Sequence, residues 1–395
     1  RKRCNDKLPA TNVGARESRK LRSKNPVHRY TCPKYQKCPC SGRSRCCVCS
    51  TFCCWQPSFA GASGGFLVSW IFVALFIGLL LPWAAGAQEQ VLNIYSARHY
   101  KTDDALYEGF TKQTGIKINR IEATEDALIE RIRNEGARSP ADILITVDAG
   151  RLWRVEQQGL FQPVKSAVLE SRIPATFREP NGLWYGFSMR ARVIAYNKER
   201  LQPSEVASYE QLADPKWKGR ICVRSSNHVY NLSLLSAMIE RFGEAKAEAW
   251  AQAVKNNLAR PPKGGDTDQI KAVAAGECDV AIANHYYYAR LARSDKPEDK
   301  AVVEKVGVVF PNQDTTGTHV NISGAGVVRG APHHDEAVTF LEYLVTPEAQ
   351  AYFAGGNFEL PVVAGAELAP EVEQVLSMAG VGPDFRQDQL NLSVL

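Results

Sequence analysis

Gln90-Val-Leu-Asn-Ile-Tyr-Ser-Ala-Arg-His-Tyr100, running on through Asp103-Asp-Ala-Leu-Tyr-Glu-Gly-Phe110 and Thr114-Gly115 to Ile116-Lys-Ile-Asn-Arg-Ile121, is the stretch whose reading decides the fold. Gln90 to Tyr95 reads as a strand, and Ser96 to Tyr100 as the loop that leaves it. Asp103 to Phe110 then places apolar residues at helical spacing, Gly115 closes that helix, and Ile116 to Ile121 alternates as a second strand. Strand, loop, helix and strand make a βαβ unit. In such units ligands are met by the loops at the carboxyl ends of the strands, which is where His99 and Tyr100 fall.

The same grammar continues on both sides. A helix from about Asp126 to Asn134, a strand over Ala141-Asp-Ile-Leu-Ile-Thr-Val147 and a helix from about Ala149 to Gln158 form the next unit. Gly182-Leu-Trp-Tyr-Gly-Phe187 and Ala191-Arg-Val-Ile-Ala-Tyr-Asn197 read as two strands that close a first domain and cross to a second. From about Lys198 the pattern repeats, with a short helix at Tyr209-Glu-Gln-Leu212, a strand at Gly219-Arg-Ile-Cys-Val223 and an amphipathic helix over Asn231 to Phe242. A helix over Asp268 to Ala275 ends at Gly276 and delivers an apolar strand that stops at Asn284-His285-Tyr286-Tyr287-Tyr288. Val306 to Phe310 and His319 to Val328 are read as strands that bring the chain back. Asp335 to Leu344, Pro347 to Phe353 and Pro370 to Met378 are the clearest helices of the tail.

The formal net charge of +6 over 395 residues hides two unlike pieces. Residues 1–87 hold 14 Lys or Arg against 2 Asp or Glu, whereas residues 88–395 hold 34 against 40. Nine of the eleven cysteines lie in the first 54 residues. Between head and body runs the uncharged apolar stretch from Phe66 to Ala87, and Ala85-Gly86-Ala87 fits a signal peptidase, so an export signal cut after Ala87 is expected. No Met precedes Met189. Residues 1–65 are accordingly read as a stretch ahead of the natural start, with a cytoplasmic head on a membrane-anchored protein as the other reading. Cys46 with Cys49 offers a zinc spacing only as one of several overlapping choices, and Lys34, Lys37, Arg43 and Arg45 would suit nucleic acid. Neither pattern is specific, and the head is read as untranslated or disordered. The body is large enough for a core without disulfides, and Cys222 and Cys278 are read as small core residues.

Three segments, each just after a strand, carry phenols or imidazole: His99-Tyr100, Tyr230 and Tyr286-Tyr287-Tyr288. Three consecutive phenols are a poor way to build a strand or helix and are read as a loop at the mouth of a buried strand. Phenolate with one neutral imidazole suits ferric iron, because only a strong Lewis acid displaces a proton that ordinarily leaves near pH 10. Aromatic packing with each hydroxyl hydrogen-bonded is the competing account. His228, His285 and His319 read as loop histidines, Arg98 as either a partner for phenolate charge or a solvated residue, and Glu277 with Asp279 as one exposed face. No nucleophile elbow, phosphate loop or His-Glu-x-x-His helix occurs, so the chain carries no recognisable catalytic apparatus and no enzyme is expected.

Tyr95-Ser-Ala-Arg-His-Tyr100, Leu106 to Ile118, Ala141-Asp-Ile-Leu144, Asp214-Pro-Lys-Trp-Lys-Gly219 and Asn284-His-Tyr-Tyr287 together resemble the periplasmic ferric-iron-binding proteins of bacterial ABC transporters, especially their cyanobacterial branch. The resemblance spans residues 90–395. It implies a periplasmic binding protein of type II, α/β in class, with two lobes joined by two crossing strands and an iron-binding cleft between them. The lobes would be residues 88–197 with 310–395, the latter including the C-terminal helices, and residues 198–309. It also implies iron ligands at His99, Tyr100, Tyr230, Tyr286 and Tyr287, with Tyr288 a neighbour. Fe³⁺ would be the transported ligand, with Fe²⁺ left open. The mature protein would be soluble and monomeric, reside in the periplasm, deliver its cargo to an inner-membrane permease and bind no nucleic acid. The alternative is a binding protein for a small organic solute such as a polyamine or sugar, with the tyrosines stacking on it. The basic, cysteine-rich head has no counterpart in the family pattern.

Overall fold

The computed structural model describes residues 90–98 and 100–390; the basic head and the apolar stretch expected to be an export signal, with the rest of residues 1–89, His99 and residues 391–395, lie outside the described residues. The opening stretch is the expected unit. Strand β1 (Val91–Ser96) leads through helix α1 (Asp103–Thr114) to strand β2 (Lys117–Glu122), which lies parallel to it. Leu106, Tyr107 and Phe110 bury one face of α1, and Gly115 ends it in the left-handed conformation (φ 77°) that glycine adopts without strain. Helix α2 (Glu125–Glu135) returns the chain to β3 (Ile143–Thr146), parallel to β1 on its other side. Helix α3 (Ala149–Gln157) follows, its first turn capped by Asp148 accepting from the Arg151 N–H, and then β4 (Phe161–Gln162) and α4 (Ala167–Arg172).

One strand organises the rest. Gly182 to Phe187 and Ala191 to Asn197 do not form two strands: Tyr185–Asn197 is a single strand, β5, buried along its whole length. An element covered on both faces reads as a continuous apolar run, and the two charged interruptions, Arg190 and Arg192, are themselves buried. The first half of β5 pairs antiparallel with β9 (Val320–Val328) and β10 (Leu360–Pro361). Its second half pairs antiparallel with β7 (Val280–Asn284) and β8 (Val306–Val309). The path runs β2-β1-β3-β9-β5-β7-β6, where β6 is Ile221–Cys222 and lies parallel to β7. Because β8 is still bonded to the second half of β5, the chain returns to the first sheet only after Val309.

The second sheet is covered by α5 (Val229–Phe242), α6 (Glu244–Asn256), α7 (Asp266–Ala274), α8 (His285–Arg293) and α9 (Pro297–Lys305). The tail adds α10 (His334–Tyr343), α11 (Pro347–Asn357) and α12 (Pro370–Met378). Helices α4, α6 and α9 were not anticipated. A buried cluster of Ile194, Trp217, Ile221, Leu234, Val280 and Ile282 packs one face of the second sheet, while the main core includes its other face, with Ala281, Ala283 and Val308, together with the first sheet. Among the described residues no helix is long and apolar enough to cross a membrane.

Three local expectations are corrected. Cys222 and Cys278 are buried and joined in a disulfide, because the parallel pairing of β6 and β7 brings together strand ends separated by 56 positions in sequence. Asp279 is not exposed with Glu277; it is buried and pairs with Arg200 and Arg220. The tyrosine run is not a loop, for Tyr286, Tyr287 and Tyr288 make up most of the first turn of α8.

Candidate metal centre

Tyr100 lies just ahead of α1, Tyr230 is the second residue of α5 and Tyr286 the second residue of α8. Side chains near a helix start lean back toward its N-terminus, where the helix dipole favours negative charge. His228 fixes the start of α5 by accepting the Tyr230 N–H at its Nδ1 (3.3 Å). The three hydroxyls converge. Tyr230 and Tyr286 oxygens are 3.0 Å apart, Tyr100 and Tyr286 3.3 Å, and Tyr100 and Tyr230 3.4 Å. The middle of that triangle is about 1.9 Å from each oxygen, slightly inside the roughly 2.0–2.2 Å at which oxygen ligands hold small cations. An ion seated a little out of the plane would therefore reach all three.

Tyr287 lies against Tyr286 with ring centroids 4.3 Å apart. Tyr288 turns away, its hydroxyl donating to the Val306 carbonyl at 2.8 Å. His99 is outside the described residues, so its place relative to the hydroxyls is not part of this geometry. Of the histidines read as loop residues, His228 and His319 do lie just ahead of α5 and β9, whereas His285 does not. His285 is a buried helix residue whose Nδ1 accepts the Ala191 N–H (3.1 Å), and burial lowers its pKa to about 4. His319 is buried against the Ser233 hydroxyl (2.9 Å), and burial followed by the Arg192 charge lowers its pKa to about 3. Among the described residues no three His, Cys, Asp or Glu side chains gather as a metal site. The donors at this point are phenols.

Burial pushes the Tyr230 and Tyr286 hydroxyls well above their ordinary value of 10.0, and the neighbouring phenols add to the rise. Tyr287 is raised for the same first cause, with Tyr100 and Asp266 contributing. In the absence of a cation these groups hold their protons at neutral pH. Arginines oppose the rise. The Arg190 guanidinium, buried 5.9 Å from the Tyr230 ring centre, works against it at both Tyr230 and Tyr286. Arg190 donates from Nη2 to the Val147 carbonyl (2.7 Å), and its buried Nε and Nη1 have no hydrogen-bond partner among the described residues. Arg224 and Arg192 lie 5.1 and 5.8 Å from the Tyr230 ring, and Arg290 lies 5.3, 4.9 and 5.7 Å from the Tyr100, Tyr286 and Tyr287 rings.

Arg98 is not solvated. It is buried, bonds Asp103 (2.8 Å) and Glu359 (3.1 Å), and faces the Tyr100 ring at 5.0 Å, which anchors the loop carrying Tyr100. Sequence reasoning missed Arg190, Arg192, Arg224 and Arg290. A signal for the first two was present, since charges at alternate positions inside an apolar strand place both on one face.

A sequence model of the family described as bacterial extracellular solute-binding protein matches residues 138–379. Iron uptake protein A2 of Synechocystis is 53% identical over 317 residues, covering 80% of this chain and 88% of that protein. Iron uptake protein A1 of the same organism is 51% identical over 308 residues, covering 78% and 84%. A solved Trichodesmium structure, described as IdiA or FutA in complex with iron and citrate ligands, superposes with a TM-score of 0.70 at 56% identity, covering 77% of this chain and 94% of that one.

Proposed function

Because the chain belongs to the bacterial extracellular solute-binding family, within its branch of periplasmic ferric-iron-binding proteins, we propose that it captures iron outside the inner membrane and delivers it to an ABC permease. The observation that carries the reading is the meeting of the Tyr100, Tyr230 and Tyr286 hydroxyls in one triangle. We assign the ligands as His99, Tyr100, Tyr230, Tyr286 and Tyr287, with the lobes at 88–197 with 310–395 and at 198–309. Ferric iron displaces the phenolic protons, and the surrounding arginines offset the negative charge that four phenolates leave against a triply charged ion. The protein binds and releases without chemical turnover, as a soluble monomer in the periplasm after removal of its export signal. Stacking on a polyamine or sugar is not favoured, since the phenols present oxygen atoms to a common point.

Purified residues 88–395 loaded with ferric iron are expected to show a visible phenolate-to-iron charge-transfer band. Tyr286→Phe weakens it while leaving the aromatic ring in place. Calorimetry against ferric citrate and a panel of polyamines and sugars separates the two readings: an organic ligand whose binding survives Tyr286→Phe, beside a colourless protein, would overturn the assignment.

A further inference from the structure

We propose that Asp266 is a positioning residue for the iron centre, gathering the starts of the two tyrosine-bearing helices α5 and α8 onto one buried carboxylate. The proposal rests on the ligand assignment above. Asp266 is the first residue of α7 and is fully buried. Its Oδ2 accepts the main-chain N–H of Asn284 (2.8 Å), two residues before Tyr286, and also Nη1 of Arg192 (2.5 Å). Its Oδ1 accepts Nη1 of Arg224 (3.2 Å), from the loop that leads into α5.

The contacts close into a ring. Arg192 donates from Nη1 to the Asn284 side chain (3.1 Å) and from Nη2 to Oδ1 of Asn231 (2.6 Å), the neighbour of Tyr230. Asn231 in turn donates to the Arg224 and Ser225 carbonyls at 3.1 and 3.2 Å. The main chain ahead of Tyr230 and the side chain of Asn231 just after it are thus tied to the main chain ahead of Tyr286 through one carboxylate. Such outer contacts set ligand orientation, and their loss commonly weakens metal retention. Two guanidinium groups against one carboxylate also leave a positive charge beside the Tyr230 ring, where phenolate must form.

The test uses the full chain, with Asp266→Asn, Arg224→Gln and, as control, Asp299→Asn, whose partner Lys271 lies in the last turn of the same helix. Each is loaded with ferric iron and followed by the charge-transfer band and by the rate at which citrate removes the metal. Metal-free circular dichroism and thermal midpoint report folding. Asp266→Asn is expected to fold, to shift the band and to lose iron about 10–100-fold faster. Arg224→Gln changes both in the same direction by less, and Asp299→Asn matches the wild type. A lowered midpoint with unchanged band and release rate in Asp266→Asn overturns the proposal. Should Asp266→Asn fail to fold, Arg224→Gln decides: faster release with a shifted band supports it, and wild-type behaviour overturns it. A wild-type chain that shows no band at all overturns the ligand assignment and this proposal together; a wild-type band with unaltered variants overturns this proposal alone.

Discussion

At Tyr230 and Tyr286, burial and chemistry pull in opposite directions. Burial makes the phenolate costly and raises both hydroxyls above their ordinary range, so without a metal these two hold their protons at neutral pH. A cation binds there only by expelling protons, and its affinity falls as pH falls because protons compete for the same oxygens. Mixing ferric citrate with the protein in weakly buffered solution is therefore expected to release protons in proportion to the phenolates formed. Tyr286→Phe releases about one fewer per iron by pH-stat; equal release from wild type and variant would remove Tyr286 from the ligand set. The residue types were legible in sequence as hard donors after strands. The arginines that face them were not, because Arg190 and Arg192 on β5, Arg224 in the loop before α5 and Arg290 on α8 come from three different segments and meet only around the phenols.

Helix α8 shows how an element escapes its local propensity. Tyrosine lags alanine by roughly 0.5 kcal/mol per residue in a helix, whereas burying a large aromatic side chain returns on the order of 2–3 kcal/mol. Tyr286 and Tyr288 are fully buried, so packing decides and three phenols start a helix. The long strand β5 was read as two for a related reason: Arg190 and Arg192 break the apolar pattern, and only their buried partners explain why the strand continues through them. The disulfide between Cys222 and Cys278 ties β6 to the turn before β7, and each cysteine stands eight residues ahead of a site tyrosine. Closing a loop of that span stabilises by about 4 kcal/mol in the chain-entropy account. The Cys222→Ser, Cys278→Ser double variant is expected to unfold at a clearly lower temperature than the oxidised protein. It should match the protein treated with reductant, and a midpoint insensitive to reductant would show the bond to be absent.

Across the whole molecule the second sheet's site helix is connected to the first sheet by buried polar contacts as well as by the backbone. Ser233 on α5 bonds His319 (2.9 Å) and Asn321 (2.8 Å), and Asn321 reaches the Asp148 cap of α3 at 2.9 Å. The hydroxyl triangle has the same reach, with Tyr100 beside the first sheet and Tyr230 and Tyr286 beside the second. On the ligand assignment proposed above, iron held from both sides would favour an arrangement in which the two sides close on it, by its differential affinity for that arrangement. Small-angle scattering is expected to show a smaller radius of gyration on iron loading in the wild type, and Tyr100→Phe should reduce that change; an identical radius with and without iron would rule out closure as the means of capture. What the sequence determined by itself was the α/β class, the opening βαβ unit and the phenol-bearing positions, because periodicity and side-chain chemistry are local properties. Only the tertiary structure decided that β5 is one strand, that two distant cysteines are bonded and that Tyr288 faces away. It alone also decided that arginines and one buried aspartate surround the phenols, because each of these depends on which distant segments share a buried space.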